Sequence, residues 1–289
     1  MVLATAAGAA RSIASRWAAR TPPALPIKAS AYGPVIQQTV KPSASQRLFT
    51  SQSTQRFTTI MPIPSYGPPA TFDVWATSNA FHTRFLVGDQ DEALSFALTN
   101  SVKNGLPEIA VAAAQGKLLN LFVRTMGAKR VIEVGTLGGY STIWLARALP
   151  EDGKLVTFEL SEKHAKVARE NLEHAGVADR VDIIVGPAAE TLAKFGGDGT
   201  YDFAFIDADK ATYPTYTKEA KRLVRSGGAI VLDNVVRNGY VADLNKTDKE
   251  NAGVRDLLKY LQEDTELEAA TVPTADERGF DGWTYVLRK

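Results

Sequence analysis

The chain of 289 residues contains no cysteine and only three histidines. The missing cysteine excludes disulfides, thiolate metal sites and cysteine nucleophiles. The histidines, His82, His164 and His174, follow no metal-ligand spacing, which argues against a zinc enzyme. No apolar run approaches the roughly 20 residues that a membrane-spanning helix needs, so no membrane span is predicted.

Acidic residues are missing from the first 72 positions, which hold seven arginines and lysines; the first acid is Asp73. The whole chain has 33 basic and 32 acidic residues, so the remainder holds 26 basic and 32 acidic residues. Phosphate binding needs a basic surface. The acidic remainder therefore argues against nucleic acid as the main partner.

Residues 1–60 have the composition of a mitochondrial transit peptide, because they are rich in arginine and serine and free of acids. We predict a disordered, transit-peptide-like segment over residues 1–60 and a folded domain over residues 61–289. The expected location is mitochondrial, and otherwise cytoplasmic. A disordered tail, or an extension upstream of an internal start at Met61, stays open as an alternative.

From residue 107 onward, short apolar runs alternate with helical stretches, a pattern typical of parallel βαβ units. The last two runs have no helix between them, so one strand should run antiparallel at the sheet edge. We predict an α/β fold with helices on both faces of a mostly parallel, seven-stranded sheet. Its strands are Arg130–Val134, Lys154–Phe158, Val181–Val185, Tyr201–Ile206, Gly228–Leu232, Leu267–Val272 and Trp283–Arg288.

A glycine-rich turn follows the first predicted strand, with glutamate at 133 and glycines at 135, 138 and 139. Glycines permit a tight turn and a close approach of the backbone to a ligand. The pattern G-x-G-x-x-G, which holds a dinucleotide pyrophosphate, is absent. S-adenosylmethionine (SAM) has no phosphate but carries a sulfonium cation, which suits an acid such as Glu133. Glu159 ends the second strand, where an acid can accept hydrogen bonds from both ribose hydroxyls.

Polar residues also follow the fourth and fifth predicted strands: Asp207 after one, Asp233 and Asn234 after the other. Neighbouring parallel strands end about 5 Å apart, so these side chains should converge. Two carboxylates and an amide oxygen are hard ligands that suit Mg²⁺, with Ca²⁺ and Mn²⁺ as alternatives. The sequence therefore predicts a divalent-cation site.

The motifs around these residues resemble the cation-dependent O-methyltransferase family, which includes caffeoyl-CoA and catechol O-methyltransferases. Residues 205–210 with Tyr213, and residues 233–239, carry the resemblance. It implies a Rossmann-like class I methyltransferase fold and a SAM-dependent O-methyltransferase domain within residues 61–289. It also implies a homodimer.

The same resemblance implies roles for particular residues. It implies metal binding at Asp207, Asp233 and Asn234, and substrate contact at Asn238. SAM contacts are implied at Val111, Glu133, Gly135, Thr136, Ser141, Glu159, Ala188 and Asp209. The family often has aspartate just before the position of Ala188, where this chain has Pro187, so the adenine pocket is expected to differ.

The expected reaction is methyl transfer from SAM to a hydroxyl of a small, catechol-like acceptor, assisted by a divalent cation. A catechol hydroxyl is mostly protonated at neutral pH, and coordination to a cation lowers its pKa. Lys210 is the candidate proton acceptor or electrostatic helper, and Asp207 is the other candidate catalytic residue. Catechol, a hydroxycinnamoyl thioester, a flavonoid and a fungal polyketide all stay open as acceptors.

Three other classes of protein fit this sequence less well. An NAD-dependent oxidoreductase would need the absent G-x-G-x-x-G pattern. A non-catalytic binding module would be expected to lack a metal ligand, but all three candidates are present. A methyltransferase acting on protein or nucleic acid fits the acidic body and the metal ligand set less well than an enzyme acting on small diols.

Overall fold

A computed structural model of the protein describes residues 71–88, 91–276 and 278–289. The transit-peptide-like segment predicted over residues 1–60 lies outside them. Two helices come first, α1 (Phe72–Leu86) and α2 (Glu92–Lys103), where no element is predicted from the sequence. In the described part of the chain, no helix is long and apolar enough to cross a membrane.

Strands and helices then alternate as predicted. Their bounds are α3 (Ala113–Thr125), β1 (Arg130–Val134), α4 (Tyr140–Ala146), β2 (Lys154–Glu159), α5 (Glu162–His174), β3 (Val181–Val185), α6 (Ala188–Lys194), β4 (Tyr201–Ile206), α7 (Tyr213–Leu223), β5 (Val224–Leu232), α8 (Lys249–Glu263), β6 (Leu267–Asp276) and β7 (Gly279–Arg288). The third helix begins at Ala113, six residues after the point where the alternating pattern begins in the sequence.

The seven strands form one sheet in the order β3-β2-β1-β4-β5-β7-β6. Strands β1 to β5 are parallel, and β7 runs antiparallel to both β5 and β6. The predicted fold class is confirmed, but the antiparallel strand lies one place in from the edge, and β6 takes the edge. The burial explains this order: Trp283 and Val286 of β7 are buried, whereas β6 is exposed from Glu268 to Pro273.

Both faces of the sheet are buried, and alternate residues of each central strand point to opposite faces. Ile132 packs with Leu192, Tyr213 and Val254, on the face covered by α6, α7 and α8. Its neighbour Val131 packs into a separate group of buried apolar residues, on the face covered by α2 to α5. A parallel sheet covered on both sides needs apolar residues at nearly every strand position. This is why its strands read as continuous apolar runs in the sequence.

Side-chain caps fix where several helices begin. The carboxylate of Asp91 accepts hydrogen bonds from the backbone N–H groups of Ala93 and Leu94 at 3.1 and 3.2 Å. Asp248 accepts one from the N–H of Asn251 at 3.0 Å. Such caps satisfy the free N–H groups of the first helical turn. The second of them holds the start of α8 beside the cavity described next.

Candidate active site

A cavity of about 830 Å³ lies at the carboxyl ends of strands β1, β2, β4 and β5. Ligands of open α/β sheets bind at this edge. Every site residue predicted from the sequence except Glu133 lines the cavity: Val111, Gly135, Thr136, Ser141, Glu159, Ala188, Asp207, Asp209, Lys210, Asp233, Asn234 and Asn238. The structure therefore brings the predicted cofactor, metal and substrate residues into one space.

The glycine turn after β1 is shaped by its neighbour strand. Gly135 has a φ of +98°, and its N–H donates to the carbonyl of Phe158 at 2.9 Å. A β-carbon at this position would lie 2.0 Å from the backbone oxygen of Asp207. Only glycine fits so close an approach with a positive φ. The turn therefore depends on glycine to let the ends of β1 and β4 meet under the cavity.

Glu159 lies at the end of β2 with 7% of its surface exposed. One carboxylate oxygen accepts hydrogen bonds from the backbone N–H groups of Thr136 and Leu137, at 3.2 and 2.8 Å. The other accepts one from the N–H of Ser161 at 2.9 Å and lies 3.3 Å from Nδ1 of His164. Glu159 thus ties the glycine turn to β2, and its contact with the ribose hydroxyls stays a prediction.

Glu133 does not line the cavity, and its predicted contact with SAM stays a prediction. Its side chain is fully buried beneath the cavity. Its two oxygens accept hydrogen bonds from the hydroxyls of Ser141 at 2.6 Å, Thr142 at 2.5 Å and Thr157 at 2.8 Å. Burial raises the pKa of Glu133 to about 7, although these three hydrogen bonds oppose the shift. The sequence shows the acid but not the hydroxyls that turn it inward.

The predicted metal ligands lie at the ends of β4 and β5. Asp233 is 3% exposed, and one of its oxygens accepts hydrogen bonds from the N–H and the amide of Asn234, at 2.6 and 3.2 Å. Nζ of the buried Lys210 lies 2.9 Å from Oδ1 of Asp207. Burial, and next the negative charge of Asp207, raise the pKa of Asp233 to about 8.

This donor set fits a divalent cation on its chemistry. When both are ionised, Asp207 and Asp233 carry two negative charges against the one positive charge of Lys210. The net negative charge of the group disfavours the ionised form of Asp233. A hard cation between oxygen ligands would relieve that repulsion. Within the described ranges no three acidic or histidine side chains converge as a metal cluster. A cation would therefore rely on two carboxylates and the amide oxygen of Asn234.

Tyr213 holds the two strand ends together from below. Its side chain is fully buried, and its hydroxyl donates to the carbonyl of Asp233 at 2.7 Å and lies 3.3 Å from that of Ile206. Nζ of Lys210 lies 5.4 Å from the centre of its ring. The sequence marks Tyr213 as part of a motif, and the structure gives it this positioning contact.

Asp209 lines the cavity, but its carboxylate is already engaged. One oxygen accepts hydrogen bonds from the N–H and hydroxyl of Thr212, at 3.1 and 2.6 Å. The other accepts one from the hydroxyl of Tyr216 at 2.6 Å. Burial and this hydrogen bond raise the pKa of Tyr216 above its ordinary value. Asp209 thus shapes the turn after β4 as well as facing the predicted cofactor position.

The loop after β5 carries the predicted substrate residue. Asn238 has a φ of 54°, and its side-chain oxygen accepts a hydrogen bond from the N–H of Phe280 at 3.0 Å. Asp281 accepts hydrogen bonds from the N–H groups of Val236 and Arg237 at 3.0 and 2.9 Å. The tip of the β6–β7 hairpin thereby holds this loop against the cavity.

Several cavity-lining residues are not anticipated from the sequence. Besides the arginine at 237, they include His164, Thr274, Asp276, Arg278 and Phe280. Arg278 donates to the carbonyl of Ala110 and to the carboxylate of Asp276, so it links the hairpin to the segment that carries Val111. No local motif signals the four hairpin residues Thr274, Asp276, Arg278 and Phe280, because the position of the hairpin in the sheet brings them to the cavity.

The sheet order and the helices on both faces define a class I methyltransferase fold. A family profile described as O-methyltransferase matches residues 87–288. The chain therefore belongs to this O-methyltransferase family, and it is a SAM-dependent enzyme. The alternatives of an oxidoreductase and of a non-catalytic module are thereby set aside.

Named relatives and solved structures agree with this assignment. The chain is 46% identical over 209 residues to the catechol O-methyltransferase of Mycobacterium tuberculosis, covering 72% of this chain and 94% of the relative. It is 41% identical to the catechol O-methyltransferase of Niastella koreensis, covering 71% of this chain and 93% of that relative. The O-methyltransferase of Bacillus cereus in complex with SAH has a TM-score of 0.72 and 37% identity, covering 76% of this chain and all of that chain.

A further solved structure is the O-methyltransferase of Streptomyces achromogenes involved in tomaymycin synthesis, in complex with SAM. It has a TM-score of 0.72 and 39% identity, again covering 76% of this chain and all of that chain.

Proposed function

We propose that this enzyme transfers the methyl group of SAM to a hydroxyl of a catechol, a small acceptor with vicinal hydroxyls. A divalent cation assists the reaction, and Mg²⁺ is the preferred candidate. The observation that carries the proposal is the pair Asp207 and Asp233 at neighbouring strand ends, with Lys210 beside them. The two curated relatives named catechol O-methyltransferase support the acceptor class.

The protein's own residues divide the work between the two substrates. Glu159 would bind the ribose hydroxyls of SAM, while Val111, Ser141 and Ala188 line the same cavity. Residues that hold SAM in one position would let its methyl group face the acceptor oxygen, and such positioning can supply up to about 7–11 kcal/mol of the barrier.

On the acceptor side, Asp207, Asp233 and Asn234 would hold the cation. A bound divalent cation lowers the pKa of a coordinated hydroxyl and so makes the oxygen a nucleophile near neutral pH. Lys210 lies 2.9 Å from Asp207. As an ammonium it would balance the negative charge of the deprotonated hydroxyl, and only as a neutral amine would it accept the hydroxyl proton. Asn238 would orient the rest of the acceptor from the loop after β5.

Chelation tests this proposal directly. Methyl transfer from labelled SAM to catechol should stop in excess EDTA and return with Mg²⁺, and Ca²⁺ and Mn²⁺ should be compared with it. Calorimetric titration of S-adenosylhomocysteine (SAH) in EDTA is the control. Binding of SAH should persist there, because the contacts to its ribose and amino-acid ends do not need the cation. Full turnover in excess EDTA would refute the role of the cation. No methylation of any catechol would refute the acceptor class.

We also propose that the enzyme is a homodimer and that α1 forms part of its interface. This helix has no buried residue, and it exposes Val74, Trp75, Phe81 and Phe85 by 56 to 68%. Large exposed apolar patches mark interaction sites. Light scattering should give twice the monomer mass for the wild type and a smaller mass for Phe81→Glu combined with Phe85→Glu. A monomeric wild type would contradict the proposal.

A further inference from the structure

Arg237 is a cavity-lining cation that the proposed reaction does not use. Its side chain is half-buried, and Nε donates one hydrogen bond, to the side-chain oxygen of Asn251 at 3.1 Å. In the described part of the chain, neither terminal nitrogen of the guanidinium has a hydrogen-bond partner, and no carboxylate forms an ion pair with it. One edge of the guanidinium is therefore anchored, and the other is free to bind a ligand.

The backbone at this position is strained, and neighbouring groups hold it in place. Arg237 and Asn238 have φ values of 53° and 54°, in the left-handed region. This region is uncommon and strained for residues with a β-carbon, such as arginine. Asp281 holds the conformation by accepting hydrogen bonds from the N–H groups of Val236 and Arg237. Strain of this kind clusters at functional sites.

The acids near Arg237 are occupied by other donors. Asp248 accepts hydrogen bonds from the backbone and amide of Asn251, and these contacts, more than the charge of Arg237, lower its pKa. Glu250 accepts one from the N–H of Lys210 at 2.9 Å, and among the described residues Asp281 accepts only backbone N–H groups. Within residues 71–88, 91–276 and 278–289, none of these three acids neutralises the guanidinium by direct contact.

We infer that the acceptor carries a carboxylate at the end away from its hydroxyls, and that the two terminal nitrogens of Arg237 bind it. The inference rests on the proposed function, which assigns the diol end to Asp207, Asp233 and Asn234. The planar guanidinium presents two parallel N–H donors that match the two oxygens of a carboxylate, whereas a lysine offers only a point charge. The acceptor class is thereby narrowed to catechol acids.

Matched acceptors test this assignment. We would measure kcat/KM for 3,4-dihydroxybenzoate against 3,4-dihydroxybenzamide, and for caffeate against its amide, so that two lengths are covered. The wild type should prefer the acid about 10-fold or more in at least one pair, through KM, as expected for a charge-assisted hydrogen bond. In Arg237→Gln this acid-to-amide ratio should fall to about one tenth of the wild-type ratio or less, and in Arg237→Lys it should be intermediate.

Arg278→Gln is the matched control, because Arg278 lines the same cavity but is engaged by Asp276 and the carbonyl of Ala110. Its acid-to-amide ratio should equal that of the wild type. SAH affinity reports whether each variant is folded. Equal losses for acids and amides in Arg237→Gln, or a wild type that methylates catechols without preferring acids, would overturn this inference alone. A wild type that methylates no catechol would overturn the proposed function and the inference with it.

Discussion

The hydroxyl of Ser141 donates a 2.6 Å hydrogen bond to the fully buried carboxylate of Glu133, although only Ser141 lines the cavity. The same carboxylate also accepts hydrogen bonds from the hydroxyls of Thr142 on α4 and Thr157 on β2. Glu133 therefore joins the start of α4 to two strands.

The charge of Glu133 should make stability depend on pH. Burial raises its folded-state pKa from 4.5 to about 7, so the folded protein binds more protons than the unfolded chain between these values. The contribution to stability is fully present below the unfolded pKa and is lost as the pH rises through the folded one. The free energy of unfolding of the wild type, relative to Glu133→Gln, should therefore decrease between about pH 4.5 and 7.

Urea unfolding of both proteins across this range measures the difference. Glutamine does not titrate, and the serine and threonine hydroxyls can turn to accept its N–H groups, so the variant should fold. The groups that both proteins share cancel in the comparison. A difference that stays constant with pH would contradict the raised pKa.

Gly135→Ala should damage both the fold and the reaction. The new β-carbon would lie 2.0 Å from the backbone oxygen of Asp207 and would force this strand end to move. Gly176→Ala is the matched control, since Gly176 also has a positive φ, +68°, but nothing within 4 Å of the added atom. We expect the control to cost about 1–2 kcal/mol and Gly135→Ala to cost roughly 1–3 kcal/mol more. Equal melting temperatures would contradict the close approach.

Asp233→Ala and Glu159→Ala should separate the two halves of the site. Loss of Asp233 should abolish most turnover while SAM still binds. Loss of Glu159 should weaken SAM binding by roughly 10- to 100-fold, as for a lost hydrogen bond to a charged group. Excess SAM should then restore much of the rate in Glu159→Ala but not in Asp233→Ala. Cofactor calorimetry and kinetics at saturating SAM measure both effects.

Glu159 also holds the glycine turn, through the N–H groups of Thr136 and Leu137. Glu159→Gln keeps an oxygen for these contacts and so distinguishes a lost ribose contact from a loosened turn. If Asp233→Ala recovered with more SAM, or if both variants at 159 bound SAM normally, the assignment of the two acids would be wrong.

Deletion of residues 1–60 should leave a soluble and active enzyme. These residues precede the region matched by the O-methyltransferase profile, which begins at residue 87. We also propose that they direct the protein to mitochondria, on their basic and acid-free composition. A reporter fused to residues 1–60 should enter mitochondria. A uniform cytosolic signal would reject the targeting role, and an inactive truncated enzyme would place the segment in the fold.

Much of the fold and part of the site follow from local patterns in the sequence. The run from Val131 to Val134 shows a buried parallel strand because both faces of the sheet exclude water. The proximity of Asp207 and Asp233 could be predicted from the sequence, because neighbouring parallel strands end at one edge of the sheet. Gly135 could be assigned to a turn, although the atom that it avoids belongs to another strand.

The remaining features depend on contacts between distant segments. Glu133 is an acid at a strand end, like Glu159, but its carboxylate is buried beneath the cavity and accepts hydrogen bonds from the hydroxyls of Ser141, Thr142 and Thr157. Arg237 becomes a candidate ligand-binding residue only because Asp281, far along the chain, fixes its backbone. A sequence shows which groups are available, but not which of them already have partners.

The placement of β7 between β5 and β6 has a consequence for the order of folding. β6 joins the sheet through β7, with ten paired residues, whereas β7 meets β5 through only four. We expect the hairpin to form first from its own local contacts, within about microseconds, and its docking onto β5 to come later, because that pairing joins segments distant in the chain. Since the hairpin tip also forms part of the cavity wall, the cavity is completed only when this late docking occurs.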